Sequence, residues 1–417
     1  MASSRLALLA AYARCVRQSA LSVVRNSVNP SSDSKAKPSE DLSVAINDFG
    51  IDLVKAAATD PGKNAIVSPA SVHAALSMTA NGADGETLEQ MRHVLHVGEM
   101  TAAEANDGWA SLLGGLGDRS SEQTLEIASS LCARKGIAFK APFIGADRDY
   151  FGAQVSTLDF TKDDVPGAIN GWVSKNTHGM ITRMIRQTPA NAILYLANAV
   201  YFKGEWVSGC AHESTCKQSF TKQDGSTVDV DIMHESGSMP YAENATVQAT
   251  KLPYKGGDTA FYVLLPKPGV KTGAALDGLK VADFRDLRRA MASDEPTQVI
   301  LGLPKLDVKF SADLRTQLAD LGMPRAFDDG RAQFSSMADL DVPICIGGVI
   351  HKTKVKVDEK GAEAAAATVV KVVTGAAPGV VEMKMKRIIC DRPYLFAIVD
   401  ETSGAMLFLG VVNDPRK

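Results

Sequence analysis

One short segment, residues 361–373, combines two structural preferences that conflict. Its sequence is GAEAAAATVVKVV. The four consecutive alanines near a glutamate favour a helix, although the valines that follow favour a strand. If the segment is a strand, its charges fall at odd positions and its even positions are all small or apolar: Ala362, Ala364, Ala366, Thr368, Val370 and Val372. The segment therefore suits two states, one of them a strand with an uncharged face that can be buried.

The composition is that of a soluble globular protein. Of the 417 residues, 45% are hydrophobic and 22% are charged, which permits one large domain or several smaller ones. The net charge is −3, and no block of Lys and Arg is interleaved with aromatic residues. We therefore expect neither nucleic acid nor a heparin-like polyanion as a partner.

The cysteines do not form a recognisable framework. The six are widely spaced: Cys15, Cys132, Cys210, Cys216, Cys345 and Cys390. Their spacing fits neither a disulfide scaffold nor a metal site. A bridge between Cys210 and Cys216 is possible, but free, partly buried thiols are the favoured interpretation.

The first 40 residues read as a targeting segment followed by a polar linker, with a domain over residues 41–417. Residues 1–30 contain four arginines and no acidic residue. The run LALLAAYA fits a secretory signal core, whereas the helical spacing of apolar and arginine positions fits an organellar presequence. Secretion is the first expectation, with an organellar or cytoplasmic location as the alternative. No apolar run reaches the roughly 18 residues that a bilayer span needs, and the sequon at Asn244 matters only if the chain is secreted.

Periodicity predicts a mixture of helices and strands after the linker. Ser68 is expected to cap a helix that starts at Pro69, and the apolar run ILYLANAVYF is expected to be a strand buried on both faces, with Asn198 inside it. The other predicted helices are 41–59, 85–94, 101–113, 165–177, 276–291 and 312–321. The other predicted strands are 124–133, 246–252, 260–265, 298–310, 349–358, 394–400 and 406–412. With no internal repeat and no second linker, a single domain is expected.

Several runs together resemble the serpin family, in the order that the family has them. They include NAIVSPASVHAALSMTANGADGETLEQM, LYLANAVYFKGEW, LPKLDVKF, VDEKGAEAAAA and DRPYLFAIVDETSGAMLFLGVVNDP. The resemblance extends from about residue 42 to residue 415. It implies an α+β fold: a single serpin domain with three β-sheets, about nine helices and an exposed reactive-centre loop from Gly361 to about Met383.

The resemblance also implies an activity. The chain would act as a suicide substrate of a serine endopeptidase: the protease cleaves the exposed loop, and the acyl-enzyme is trapped when the loop inserts into the large sheet. Loop insertion in serpins is an established example of a conformational switch. The implied protein is a monomer that is not an enzyme and needs no cofactor.

Three groups of residues match functional positions of the family. Gly361, Ala362, Glu363, Ala364, Ala365, Ala366 and Ala367 match the hinge of the loop, with Ala362 where the family more often has Thr. Ser68, Ser71, Asn198 and His351 match the shutter, a polar cluster where the sheet opens, in which His351 is expected to hydrogen-bond Asn198 and Ser68. Glu359, Lys305 and Trp206 match the breach at the top of the sheet.

The position of the scissile bond is the least constrained inference. Counting from Glu359 places it after Gly375, within the residues Thr374, Gly375 and Ala376. These small residues suit an elastase- or subtilisin-like protease. The distance to Pro393 is longer than in many serpins, so Met383 or Lys384 remain alternatives and would suit chymotrypsin- or trypsin-like enzymes.

The sequence also bears on function classes other than a serine protease inhibitor. The sequence has no GxSxG, HExxH, P-loop or helix-starting GxGxxG motif, which argues against an enzyme. A non-inhibitory serpin that serves as carrier, chaperone or storage protein would tolerate bulky or charged residues at the even loop positions, and this loop has none there. Inhibition of cysteine proteases is the other alternative.

Overall fold

The computed structural model describes residues 40–117, 123–189, 191–292, 297–340, 344–362 and 385–416. The described residues form one compact unit. In the described parts of the chain there are nine α-helices: α1 (Glu40–Ala57), α2 (Pro69–Ala80), α3 (Gly85–Val94), α4 (Ala102–Gly117), α5 (Ala141–Phe151), α6 (Val165–Asn176), α7 (Thr272–Asp277), α8 (Val281–Met291) and α9 (Arg315–Leu321). Two 3-10 turns lie at His212–Ser214 and Pro324–Phe327.

The strands are distributed along the whole described chain. In order they are β1 (Ala65–Val67), β2 (Gln123–Arg134), β3 (Gln154–Leu158), β4 (Leu194–Glu205), β5 (Cys216–Thr221), β6 (Thr227–Met239), β7 (Tyr241–Glu243), β8 (Val247–Pro253), β9 (Thr259–Pro266), β10 (Thr297–Pro304), β11 (Leu306–Asp313), β12 (Ile350–Val357), β13 (Gly361–Ala362), β14 (Lys386–Ile389), β15 (Tyr394–Asp400) and β16 (Met406–Val412).

A six-stranded sheet forms the centre of the core. Its strand order is β1-β16-β15-β9-β8-β7, and every residue of β9, β15 and β16 is buried. Continuous apolar runs such as Tyr394–Asp400 suit strands that are covered on both faces. Helix α1 packs on this sheet, where Asn47 receives a hydrogen bond of 2.7 Å from the backbone N–H of Met406.

A second sheet of four strands has the order β14-β10-β6-β5. Its edge strand β14 runs parallel to β10, with Val299 opposite Lys386. Because β14 begins directly after residue 385, this sheet holds the C-terminal base of the segment expected to be the reactive-centre loop.

The largest expected sheet is present as two hydrogen-bonded pieces. One piece has the order β13-β4-β2-β3 and the other consists of β11 and β12. The α+β fold is thus confirmed. Instead of three continuous sheets, however, the described residues contain four separately bonded groups of strands, because β4 and β12 are not paired with each other.

Two elements that were predicted as continuous are each divided in the structure. The strand expected over residues 298–310 is two strands, β10 and β11, which belong to different sheets. The chain changes sheet where Pro304 ends β10 and the N–H of Lys305 donates to the carbonyl of Asp231. The helix expected over 276–291 is likewise two helices, since Gly278 ends α7 and Lys280 has extended backbone before α8.

Candidate functional site

The chain reverses direction at the top of the divided sheet. Strand β12 ends, Glu359 and Lys360 form a turn, and Gly361 bonds back to Asp358 through two backbone hydrogen bonds of 2.9 and 3.2 Å. Gly361 then lies opposite Glu205 in antiparallel pairing with β4. Strand β13 therefore lies beside the upper ends of both β12 and β4.

Glycine is required at this reversal. Gly361 has φ of +137°, a conformation that residues with a side chain rarely adopt. A Cβ atom at this position would also collide with the backbone of β4, which lies closer than van der Waals contact. The backbone conformation and the close approach of β4 thus explain why this chain has a glycine at the position of the family's hinge glycine.

The turn is fixed by an ion pair. The Nζ atom of Lys305 lies 2.9 and 3.1 Å from the two carboxylate oxygens of Glu359, and the Thr215 hydroxyl donates to the same carboxylate at 2.9 Å. Burial opposes ionisation of Glu359, but these hydrogen bonds outweigh it and hold the pKa of that carboxyl below its usual value. The carboxylate consequently stays charged and anchors the end of β12.

Trp206 closes the same end of the sheet. Its indole N–H donates to the carbonyl of Asp358 at 3.0 Å, and its backbone N–H donates to the carbonyl of Lys360 at 2.9 Å. The ring is 2% exposed and stacks on Tyr254 with centroids 4.4 Å apart. Glu359, Lys305 and Trp206, which the sequence placed together in the breach, do meet around one turn.

Below β13, the strands β4 and β12 border a gap that we call the slot. Its walls are formed by central residues of these two strands, and its floor and cover by the neighbouring helices and strand β16. The lining residues are Ser68, Ser71, Val173, Ile181, Met184, Asn198, Ala199, Val200, His351, Lys352, Thr353 and Phe408. All four residues predicted for the shutter line this slot.

Ser68 is the centre of the polar floor. As predicted, it caps α2: its hydroxyl accepts from the N–H of Ser71 at 3.4 Å, and it donates to the carbonyl of Leu407 at 2.7 Å. Its backbone N–H donates to Nε2 of His351 at 3.1 Å. This hydrogen bond ties β12 to the first turn of α2.

His351 is a buried, neutral acceptor. Burial lowers the pKa of His351 to about 4. The expected hydrogen bond between His351 and Asn198 is absent from the described contacts, because Asn198 donates to Ser129 at 3.1 Å and its Oδ1 atom has no partner. The two residues lie on opposite walls of the slot, and the separation of β4 from β12 explains the difference.

The cover of the slot is held by one side chain. Oδ1 of Asn170 on α6 accepts from the backbone N–H groups of Met184 and Ile185 at 2.6 and 3.0 Å, and its Nδ2 donates to the carbonyl of Ile185 at 2.8 Å. Sequence reasoning missed Asn170, as it missed Ser129 and Thr215. The run INGWVSKN contained the signal, since its asparagine follows the apolar Ile169 on the buried side of a helix.

The comparison with protein families settles the kinship of the chain. Residues 44–415 match the family described as Serpin (serine protease inhibitor). The chain belongs to the serpin family. This serpin is 31% identical to the corticosteroid-binding globulin of Ovis aries over 393 residues, covering 92% of this chain and 87% of the relative. It is 30% identical to the leukocyte elastase inhibitor of Bos taurus over 396 residues, covering 90% of this chain and 100% of the relative.

Solved structures agree with this kinship. The serpin resembles the thermophilic serpin tengpin in its native state, with a TM-score of 0.82 and 29% identity over 93% of this chain and 97% of that one. The named relatives include an elastase inhibitor and a corticosteroid-binding globulin. Membership of the family therefore does not distinguish an inhibitor from a serpin with another role, and the distinction must come from the site itself.

Part of the predicted site lies outside the described residues. This part comprises the hinge residues Glu363, Ala364, Ala365, Ala366 and Ala367 and the residues of the reactive bond, Thr374, Gly375 and Ala376. The cysteines that the structure describes, including Cys210 and Cys216, are all free, as the sequence favoured. Within the described ranges no helix is long and apolar enough to span a bilayer, and no group of side chains could hold a metal ion.

Proposed function

We propose that this serpin inhibits a serine protease as a suicide substrate. The protease attacks the loop, which begins at Gly361, at its reactive bond and becomes joined to it as an acyl-enzyme. The cut loop then enters the slot as a new strand. The main support is the position of Gly361 and Ala362, which pair with β4 at the upper end of the gap between β4 and β12, two strands that are not hydrogen-bonded to each other. Such a gap leaves backbone donors and acceptors for an entering strand.

The register of β13 supports the inward face inferred from the sequence. Continued down β4, it would put Ala364 opposite Phe202. Residues directly opposite each other on antiparallel strands share a face of the sheet, and Phe202 is buried in the core. The even loop positions would therefore turn inward, where their small, uncharged side chains are tolerated.

An inserted loop would also complete the shutter. In the same register Thr368 would lie opposite Asn198, whose buried Oδ1 has no hydrogen-bond partner among the described residues. The side chain of Thr368 is short, and its hydroxyl could donate a hydrogen bond to this Oδ1 atom. A buried acceptor left without a donor costs about 1–3 kcal/mol, so its satisfaction would favour the inserted state.

The odd positions have a complementary environment on the outer face. Continued register would put Glu363 opposite Lys203 on β4 and opposite Lys356 on β12. Lys203 is exposed, and the Lys356 side chain is 41% exposed, so neither lysine is buried by its own strand. The single carboxylate of the hinge would gain two cations as neighbours at the first step of insertion.

The length of β4 determines how far the protease would travel. Its 12 residues can pair with residues 361–372, and a strand of this length spans roughly 40 Å. Gly375 would then lie beyond the lower end of β4. A protease attached to Gly375 would be carried from one end of the sheet to the other, where strain on its active site prevents hydrolysis of the acyl-enzyme.

The target proposed is a protease with a small primary pocket. The residues around the inferred bond, Thr374, Gly375 and Ala376, have small side chains. The test is incubation of the whole chain with elastase-, subtilisin-, chymotrypsin- and trypsin-like serine proteases and with papain-like cysteine proteases, followed by denaturing electrophoresis and mass spectrometry of the released peptide. We expect an SDS-resistant complex with an elastase- or subtilisin-like enzyme and a new N-terminus at residue 375, 376 or 377.

The alternative is a non-inhibitory serpin, and the similarity to corticosteroid-binding globulin favours it. In that case every protease of the panel would cut the loop without forming an SDS-resistant complex. A complex formed only with papain-like enzymes would assign inhibition to cysteine proteases. Cleavage after Met383 or Lys384 would move the reactive bond but leave the mechanism intact.

The proposed location is extracellular, with residues 1–40 serving as a targeting segment and polar linker. Its support is the acid-free composition of residues 1–30. N-terminal sequencing of the mature protein from a culture medium and from cell fractions distinguishes secretion from an organellar or cytoplasmic location.

A further inference from the structure

Three cationic residues lie near one another beside the slot, and one of them, Lys352, lines it. Lys352 on β12 donates from Nζ to the backbone carbonyl of Arg183 at 2.6 Å. Arg183 and Arg186 are exposed, and both are close enough to Lys352 to repel its charge. Burial, together with this repulsion, lowers the pKa of Lys352. Among the described residues, no carboxylate forms an ion pair with any of the three.

The remaining lysines of β12 differ in this respect. Lys354 lies 3.4 Å from a carboxylate oxygen of Asp307, and Lys356 lies 4.0 Å from Asp358. Positive charge is therefore neutralised along the upper part of the strand but not at Lys352. Ser311, exposed on the neighbouring strand, lies directly opposite Lys352 and adds a hydroxyl on the same face.

The backbone that carries the two arginines is fixed in place. Met184 and Ile185, which lie between them, are bonded to the Asn170 side chain by the three hydrogen bonds described above. The carbonyl of Arg183 is also held by Lys352. The fold thus fixes the backbone from which both arginines project, and the binding of a ligand there would need little ordering of the backbone.

We propose that Arg183, Arg186 and Lys352 form a binding site for a small multivalent oxyanion of the phosphate type. Guanidinium groups donate two parallel hydrogen bonds to phosphate oxygens, and an ammonium group adds a compact charge. The bound anion would replace repulsion between like charges with attraction. It would also tie β12 to the segment that covers the slot, so that binding stabilises the uncleaved protein.

The test uses the full chain and pyrophosphate and inorganic phosphate as probes, with sodium chloride at equal ionic strength as the reference. Isothermal titration measures the affinity, and thermal unfolding measures the change in Tm. The Arg183→Gln/Arg186→Gln variant removes two charges from the site. The control, Lys217→Gln/Arg285→Gln, removes two charges from exposed positions on β5 and α8.

We expect pyrophosphate to bind and to raise the Tm of the natural chain and of the control. The site variant should bind at least about tenfold more weakly, since it loses the charged hydrogen bonds of two guanidinium groups. Equal affinity of the site variant and the control would overturn the proposal, as would a Tm response to pyrophosphate no larger than that to chloride. Neither readout depends on protease inhibition, so this site and the proposed function can fail separately.

Discussion

A Cβ atom on Gly361 would lie 2.2 Å from the carbonyl oxygen of Gly204, the residue that pairs with Ala362 across β13 and β4. At Gly361, therefore, the hinge lies so close to β4 that there is room for backbone atoms but not for a side chain. Gly204 is itself confined, because a side chain there would come within 2.8 Å of the Tyr254 ring. These two glycines determine where the proposed insertion begins.

Replacement of Gly361 by Val is predicted to displace β13 from β4. The variant combines a strained backbone, costing about 1–3 kcal/mol, with a steric clash against β4. We expect a lower Tm and little SDS-resistant complex, with cleavage of the loop continuing. Gly98→Ala is the control, since nothing lies within 4 Å of its added methyl group. Complex formation by Gly361→Val at the natural rate would contradict the proposed entry point.

The inward face of the loop can be tested with two neighbouring arginines. Ala364→Arg would put a cation opposite the buried Phe202, where desolvation costs several kcal/mol. Ala365→Arg would put the same side chain on the outer face. We expect the first variant to be cut as a substrate and the second to form complexes nearly as well as the natural chain, measured by denaturing electrophoresis. Similar yields from the two variants would rule out the register.

Local signals in the sequence predicted much of the fold. The cap at Ser68 and the strand at the apolar run of β4 both appear where expected, because capping and strand formation depend on few residues. The expected burial on both faces is incomplete, since Leu194, Tyr195, Leu196 and Val200 are only partly buried. Other local signals were present but missed. Pro142 and the left-handed Gly152 frame α5, and the turn containing Asp224 and Gly225 joins β5 to β6.

Long-range relationships were not predictable from local pattern. The predicted strand 298–310 is divided into β10 and β11 because its two halves pair with strands of different sheets. The periodicity of the sequence around Pro304 does not indicate this division. The partners of Asn198 likewise depend on the spacing of β4 and β12, strands that are about 150 positions apart in the chain. Residues of the breach were predictable only through the family resemblance, since Lys305 and Glu359 look like ordinary surface charges.

Acidification is predicted to weaken the floor of the slot through His351. Its pKa is about 4 in the folded protein, whereas an unfolded histidine has a pKa near 6.5. Between these values the unfolded state binds more protons, so the free energy of unfolding falls as the pH drops, by about 1.4 kcal/mol per pH unit. His351→Gln keeps an acceptor for Ser68 but cannot be protonated. In urea unfolding, the free energy of unfolding should fall less between pH 6.5 and pH 4.5 for this variant than for the natural chain. Equal decreases would show that His351 does not cause the pH dependence.

A buried carboxyl on α5 is predicted to have the opposite pH dependence. Burial raises the pKa of Asp147 to about 8; its Oδ1 accepts from Asn81 at 3.1 Å and its Oδ2 has no partner among the described residues. Between about pH 4 and pH 8 the folded state binds more protons, so its stability falls as the pH rises. In urea unfolding, Asp147→Asn should be more stable than the natural chain at pH 8. Its free energy of unfolding should also change less between pH 5 and pH 8. Asp149→Asn, exposed on the same helix, is the control, and a slope unchanged by Asp147→Asn would refute the role of the buried carboxyl.

The most direct test of the central claim compares the intact serpin with the same protein cut once in its loop. If the severed loop becomes the strand between β4 and β12, the cut form should have a much higher Tm. The backbone amides of both strands should also exchange with deuterium far more slowly. A cut form that melts at the same temperature as the intact protein, with exchange unchanged in β4 and β12, would contradict the account.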